Sequence, residues 1–218
     1  MLWIALALAL WGLARAEDTP TPTPETDDLA QVIGSAPVSR DWQDWLLAKA
    51  WIETRWNPSK LNFADGPKAR EAAERLRGEG RLPACRGLDE YAFSGGAWQI
   101  IPAIFLVVAY PKNEAMLCVD PRIVVDPRES LAMVLAYAGK LQTWSSYQEN
   151  PTFETLWLGF QSPSFMADSS SKRAQKSLEN MRKGLARIGR EDLAKKRPPK
   201  LSKDGSYWRN LIVLGGQA

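Results

Sequence analysis

The stretch Trp51-Ile52-Glu53-Thr54-Arg55-Trp56-Asn57-Pro58 places a single carboxylate at the end of an apolar segment, just before a proline. Asp41 provides a plausible helix start, and Trp, Leu, Ala and Ile residues follow it at helical spacing. Because a proline disfavours helical backbone at the residue before it, this helix should end within a residue or two of Trp56. The stretch therefore predicts a helix of which Glu53 lies in the last turn.

Glu53 continues a row of helix positions that includes Leu46 and Ala50, so its side chain should share their apolar face. Loss of hydration there disfavours the charged form of a carboxyl group, which suits a general acid at near-neutral pH. The alternative is an ordinary Glu at a helix terminus, exposed or paired with Lys49 or Arg55.

Composition excludes several kinds of chemistry. The 218 residues contain no His, which rules out Ser-His-Asp and Cys-His catalysis and the usual His-containing zinc sites. Two Cys cannot form a zinc site alone, so we expect no metal and no cofactor. Ten Trp is a high number for this length, and such rings line carbohydrate clefts as well as packing cores.

The N-terminal residues carry the pattern of an export signal. An apolar run over 2–13 is too short to span a bilayer, and Ala14-Arg15-Ala16 provides a cleavage site. We predict a signal peptide over 1–16 and a periplasmic or secreted protein; the alternatives are an uncleaved anchor or an N-terminal core helix. An extended Thr-Pro linker is expected over 17–28. No later segment is apolar enough to cross a membrane, so the mature protein should not span one.

Cys85 and Cys118 are 33 residues apart in the sequence. In an exported chain two cysteines most simply form a disulfide, and the alternative is a pair of free buried thiols.

A second segment with candidate site residues is Phe93-Ser94-Gly95-Gly96-Ala97-Trp98-Gln99-Ile100-Ile101-Pro102. Its two glycines allow a tight turn and a close approach of the backbone to a ligand. Gln99 is the lone amide among apolar neighbours, although it could simply cap a turn. An apolar helix or strand should follow as far as Tyr110.

Further helices are predicted on both sides of this segment. A short helix is expected over 67–77, and Asp126-Pro127 provides a cap and a first helical residue for another. A third, over 152–160, runs into Gln161. The fold class predicted from this pattern is mainly α.

Charge is distributed unevenly along the chain. Residues 171–210 carry 13 Lys or Arg against 4 Asp or Glu, whereas residues 17–170 carry 14 against 21. A basic amphipathic helix is predicted from about 171, with Leu178, Met181, Leu185 and Ile188 on its apolar face. The helix could be attracted to anionic wall polymers or phospholipid headgroups. We favour a solvated helix packed on the domain through Leu178 and Leu185, and we do not expect nucleic acid as a partner of an exported protein.

Four segments, in this order, resemble motifs of the SLT-type lytic transglycosylases, relatives of goose-type lysozyme. Glu53–Pro58 resembles the family's Glu-Ser-x-Phe-x-Pro, and Gly96–Pro102 its Gly-Leu-Met-Gln-Ile-x-Pro. Asp126–Leu131 with Tyr137 is similar to an Asp-Pro-x-x-Asn-Ile helix with a later Tyr, and Gly159–Pro163 to Ala-Tyr-Asn-Ala-Gly. The resemblance covers about residues 40–165. The long spacing between the first two motifs indicates an insertion over 62–90.

The resemblance implies a lysozyme-like domain over 29–170, with the insertion at 62–90, followed by a basic helical tail over 171–218. It also implies cleavage of the bond between N-acetylmuramic acid and N-acetylglucosamine in peptidoglycan, with Glu53 as the single acid and base and 1,6-anhydro products. Thr54 and Gln99 would position substrate groups, while Trp98, Phe160 and Gln161 would line the cleft. Ordinary core packing is the alternative for Trp98 and Phe160.

Two other functions fit the same residues. One is a hydrolytic muramidase, in which water rather than the sugar's C6 hydroxyl attacks. The other is a catalytically weak protein that binds peptidoglycan glycan strands, which the altered Gln161 and Pro163 motif favours and the intact Glu53 motif disfavours. A cell-envelope secretion or conjugation machine is a further partner that would suit a small enzyme of this kind.

Overall fold

Helices dominate the computed structural model, which describes residues 24–215 of the chain. The two short strands are β1 (Leu61–Asn62) and β2 (Ser94–Gly95), and 3-10 turns cover Phe63–Asp65, Leu88–Tyr91, Pro121–Val125 and Glu191–Lys195. A short π-helix covers Asn210–Leu214. The α-helices are α1 (Pro24–Ser35), α2 (Arg40–Thr54), α3 (Gly66–Gly78), α4 (Pro102–Ala109), α5 (Glu114–Leu117), α6 (Pro127–Leu141), α7 (Ser145–Glu149), α8 (Phe153–Gln161), α9 (Pro163–Ala167), α10 (Lys172–Arg187) and α11 (Gly205–Arg209).

Helix α2 ends where the proline predicts. The two residues after it, Arg55 and Trp56, adopt left-handed backbone with φ of 58° and 66°. The N–H of Arg55 still donates to the carbonyl of Trp51, and the indole of Trp56 donates to the carbonyl of Leu47 at 3.0 Å. These contacts turn the chain away from the helix and leave Glu53 in its last turn.

The centre of the molecule is helix α6. The Asp126 side chain accepts hydrogen bonds from the N–H groups of Arg128 and Glu129, both at 2.9 Å, and Pro127 occupies the first turn. Every residue from Glu129 to Gly139 is buried. A helix that is apolar nearly all round needs neighbours on every side, and α4, α8 and α11 pack against it.

The expected insertion is ordered structure. Its helix, predicted over 67–77, is α3, and it packs against α4. Cys85 and Cys118 form a disulfide with a Cα–Cα distance of 5.8 Å, so this prediction is confirmed. The apolar segment after Pro102, for which the sequence allows both helix and strand, is helix α4.

A two-stranded antiparallel ribbon, β1 with β2, lies between the insertion at 62–90 and residues 96–99, here called the glycine turn. Gly96 follows the ribbon with φ of +74°, and a Cβ atom there would lie 2.0 Å from the carbonyl oxygen of Val124. Only glycine fits this backbone, so Gly96 fixes the direction in which the chain leaves the ribbon.

The basic helix α10 packs on the domain through its apolar face, as predicted. Leu178, Met181 and Leu185 are buried, and Gly184 brings the helix close to α2: a Cβ there would lie 2.8 Å from the carbonyl oxygen of Ala48. The rest of the described tail adds Leu193, Leu201, Trp208 and Ile212 to the same core. Residues 171–215 therefore pack against the body of the domain along much of their length.

The N-terminal predictions have mixed outcomes. An extended linker over 17–28 is wrong for its last residues, because Pro24 begins helix α1. The signal peptide over 1–16 and the remainder of the linker lie outside the described residues. Within residues 24–215, none of the helices has the length and apolar character needed to cross a membrane.

Candidate active site

A cleft of about 610 Å³ lies among helices α2, α3, α4, α6 and α8. It brings together five of the predicted site residues, namely Glu53, Trp98, Gln99, Phe160 and Gln161. The remaining lining residues are Lys49, Asp65, Lys68, Arg75, Leu76, Arg81, Ile101, Ile104, Phe105, Val107, Val108, Tyr137, Trp144, Gly159 and Pro163.

Glu53 is held in the cleft by two hydrogen bonds to the same oxygen. Its Oε1 accepts from the Nζ of Lys49 at 2.9 Å and from the Nε2 of Gln161 at 2.8 Å. The side chain of Glu53 is 20% exposed. Among the described residues no donor bonds to Oε2, so this oxygen is the one available to a ligand.

Lys49 contradicts the expectation of purely apolar surroundings for Glu53. The Lys49 side chain is only 2% exposed, and its ammonium lies 4.6 Å from the ring centre of Trp157 and 5.3 Å from that of Phe160. A buried cation needs a partner, and Glu53, one helical turn away, provides it. The pairing named as the alternative from sequence is thus the one found.

Thr54 does not face the cleft, which corrects its predicted role in substrate binding. Its hydroxyl is buried and shares its one hydrogen between the carbonyl oxygens of Ala50 at 3.0 Å and Ala97 at 3.1 Å. Ala97 is 43 positions away in the sequence, in the glycine turn. Thr54 therefore ties α2 to this turn and fixes the distance between the two motif segments.

Trp98 and Gln99 serve mainly to hold the glycine turn. Trp98 is 3% exposed, and its indole N–H donates to the carbonyl of Leu46 at 3.1 Å. Gln99 has φ of 50°, and its amide donates to the carbonyls of Gly96 and Lys60. Both residues reach the cleft wall, but their polar atoms are engaged in protein contacts.

Aromatic rings form the apolar part of the cleft beside Glu53. Phe160 is half-buried, with its ring centre 5.0 Å from that of Tyr137 and 5.4 Å from that of Trp45. Burial raises the pKa of Tyr137 to about 12, so its hydroxyl stays protonated at physiological pH. The cleft therefore offers flat apolar faces next to the Glu53 carboxylate.

The insertion supplies charged residues that sequence reasoning missed. Asp65 lines the cleft, and its Oδ2 accepts from the Nδ2 of Asn62 at 2.9 Å and the Oγ of Ser94 at 2.6 Å. Lys68 and Arg75 on α3 line it as well. No motif marks these residues, because their approach to Glu53 depends on how the insertion folds back.

Residues with strained backbone conformations also flank this site. Among the described residues the non-glycine positions with positive φ are Arg55, Trp56 and Gln99, and all three belong to the two segments that flank the cleft. Such conformations cost free energy and persist only where the surroundings enforce them.

Comparisons of the chain with protein-family models, with curated proteins and with solved structures give no match.

Proposed function

We propose that the protein is a peptidoglycan lytic transglycosylase with a lysozyme-like fold, and that Glu53 is its single acid and base. The observation that carries the proposal is the position of Glu53, a partly exposed carboxylate beside aromatic rings in the cleft. The order of the four motif segments along the chain supports it. So does the disulfide, which is typical of proteins outside the reducing cytoplasm.

The proposed chemistry uses the two oxygens of Glu53 differently. Lys49 and Gln161 hold Oε1, where the Glu53 carboxylate pairs with the Lys49 ammonium. To act as the acid, Glu53 first takes up a proton on Oε2, and this proton then passes to the glycosidic oxygen between N-acetylmuramic acid and N-acetylglucosamine. The C1–O bond then breaks, and the acetamido oxygen of the muramic sugar supports the positive charge at C1. Glu53 next takes the proton of the C6 hydroxyl while the C6 oxygen bonds to C1. This step gives a 1,6-anhydro end and restores the protonated acid.

Gln161 has the position that the mechanism requires of a residue that orients the acid. Its amide donates to Glu53 while its side chain lines the cleft. The neighbouring Phe160 has no hydroxyl, so the hydrogen bond to the catalytic carboxyl comes from the amide of Gln161. A fixed donor on Oε1 keeps Oε2 turned toward the substrate.

A hydrolytic muramidase is the second candidate, and Asp65 is the observation that favours it. This carboxylate lines the same cleft as Glu53, and its Oδ1 has no hydrogen-bond partner among the described residues. A second carboxylate can activate water or stabilise the sugar cation in glycosidases. A third candidate is a cleft protein that binds the wall without cleaving it, and analysis of the reaction products separates all three.

Mass spectrometry of purified peptidoglycan treated with the protein tests the proposal. We expect products with 1,6-anhydro ends, and a loss of about 10²–10⁴-fold in rate for Glu53→Gln. Asp65→Asn serves as the matched carboxylate control and should keep the anhydro products. Reducing ends that disappear in Asp65→Asn would establish the muramidase. Retained sedimentation with the wall and no products from wild type would establish a binding protein.

A further inference from the structure

A second cavity, of about 280 Å³, adjoins the cleft on the far side of Glu53. Glu53 and Gln161 line both cavities, so the hydrogen bond between them marks the boundary. The other wall of the second cavity belongs to α10, which contributes Arg173 and Lys176. Helix α10 lies beyond the stretch that resembles known motifs.

The two cations of this wall, Arg173 and Lys176, form no ion pair with a described residue. Much of the tail's positive charge is used in ion pairs: Arg190 binds Asp41 and Asp44, and Arg182 binds Glu154. Within residues 24–215, by contrast, neither Arg173 nor Lys176 has a carboxylate within ion-pairing distance. The one acidic residue that lines the second cavity is Glu53, which is already paired with Lys49.

The helix that carries these cations is held firmly. Ala174 and Leu178 are buried, and Ser177 accepts a hydrogen bond from the indole of Trp157 at 2.9 Å. Farther along, Gly184 allows close contact with α2. Arg173 and Lys176 are thus presented from a fixed backbone, while their exposed ends remain able to reach a ligand.

We propose that this cavity, the basic subsite, binds carboxylates on the peptide branches of the glycan strand. The inference rests on the proposed function, because it places a muramic sugar beside Glu53. The lactyl group of that sugar carries a short peptide with free carboxylates, and the basic subsite is the adjoining cavity with unpaired cations. Arg binds carboxylates through two parallel hydrogen bonds, and Lys adds a point charge. The apolar side chains of Ile52 and Phe165 give the peptide a floor.

Calorimetry with two soluble fragments tests the basic subsite. The probes are the N-acetylglucosamine–N-acetylmuramic acid disaccharide with its tetrapeptide and the same disaccharide without it. We expect wild type to bind the peptide-bearing fragment about tenfold more tightly, a difference of about 1.4 kcal/mol, because the carboxylates of the peptide contact Arg173 and Lys176. Arg173→Ala/Lys176→Ala should reduce this preference to less than about threefold. The charge-conserving Arg173→Lys/Lys176→Arg variant should restore most of it.

Lys172→Ala/Lys203→Ala is the matched control, since it removes two exposed tail cations that line neither cavity. It should keep the full preference. An unchanged preference in Arg173→Ala/Lys176→Ala, or equal binding of both fragments by wild type, overturns the basic subsite even if 1,6-anhydro products form. A preference that depends on Arg173 and Lys176, in a protein that yields no products, supports the subsite and refutes the catalytic proposal. Binding of neither fragment also overturns the basic subsite, whereas the catalytic proposal stands or falls with the 1,6-anhydro products.

Discussion

Lys49 and Glu53 lie one helical turn apart, and their burial differs sharply. The Lys49 side chain is 2% exposed and that of Glu53 is 20% exposed. If Glu53 is lost, the ammonium keeps only aromatic rings and weaker acceptors around it. If Lys49 is lost, the carboxylate of Glu53 can still contact water and Gln161. The pair should therefore respond unequally to substitution, whichever reaction the cleft performs.

We expect Glu53→Gln to lower the free energy of unfolding by about 2 kcal/mol, because it leaves a buried cation without its countercharge. Lys49→Met, which fills the same volume with apolar atoms, should change it by less than about 1 kcal/mol in either direction. Urea denaturation of both variants measures the difference. A Lys49→Met variant less stable than Glu53→Gln would show that the ion pair itself, rather than the burial of Lys49, dominates.

Tyr137 makes the stability of the cleft wall depend on alkaline pH. Burial raises its pKa in the folded protein to about 12, against about 10 in an unfolded chain. Its contribution is thus complete below pH 10 and is lost as pH rises from 10 toward 12, because only the unfolded chain releases the proton in that range. Two pKa units correspond to about 2–3 kcal/mol.

Tyr137→Phe should remove this part of the alkaline loss. We expect the variant to lose about 2 kcal/mol less than wild type between pH 9 and pH 12 in chemical denaturation. Tyr207→Phe is the control, because Tyr207 is 48% exposed. Identical pH profiles for Tyr137→Phe and wild type would mean that the Tyr137 hydroxyl ionises freely in the folded protein.

At the scale of elements, the glycine turn is the joint that brings the two motif segments together. Gly96 lies in left-handed backbone, and a Cβ there would meet the carbonyl oxygen of Val124 at 2.0 Å. Gly80, at the end of the insertion helix, has a similar φ of +66°, but a Cβ at this position would have no heavy atom within 4 Å. An alanine at Gly80 would therefore suffer backbone strain alone, whereas an alanine at Gly96 would also clash with Val124.

Gly80→Ala should cost about 1 kcal/mol of unfolding free energy, which is the strain of a left-handed alanine. Gly96→Ala should cost at least about 3 kcal/mol, since the backbone must also move away from Val124. Thermal denaturation compares the two. Equal losses would indicate that the turn can shift without strain, and that Gly96 does not fix the direction in which the chain leaves the ribbon.

The elements themselves are largely predictable from sequence, because their signals are local. Asp126-Pro127 fixes the start of α6, and Pro58 fixes the end of α2. The contacts of the site are not predictable in the same way. Thr54 bonds to Ala97, 43 positions away, and Asp65 reaches the cleft only because the insertion folds back through the β-ribbon. Distances of that kind depend on tertiary packing, which no short motif encodes.

The environment of Lys49 is predictable from sequence only in part. Its spacing of four residues from Glu53 is a local signal, and the sequence allows the pairing as an alternative. What spacing cannot show is that the lysine is the more deeply buried partner, between Trp157 and Phe160. The aromatic residues come from α8, so the surroundings of Glu53 depend on how α8 packs against α2.

At the scale of the whole molecule, acidic residues before position 171 form ion pairs with basic residues after it. The acidic body and basic tail meet in ion pairs at three places, and the body's partner at each is a buried carboxylate: Asp44, Glu129 or Glu154. Arg209 binds Glu129 through two nitrogens, with distances of 3.0 Å. Without the tail, Glu129 and Glu154 would be left uncompensated, whereas Asp44 would keep its ion pair with Arg40. The tail is therefore expected to be required for folding.

A chain that ends at residue 170 should fail to fold cooperatively. It would lose the ion-pair partners of Glu129 and Glu154, and it would expose core positions now covered by Met181, Leu185 and Trp208. A chain that ends at Leu214 keeps these contacts and is the control. Circular dichroism with thermal denaturation should give a sharp transition for the longer chain and a broad, weak one for the shorter. A cooperative transition in the chain ending at residue 170 would show that the body is a domain by itself, to which the tail is only attached.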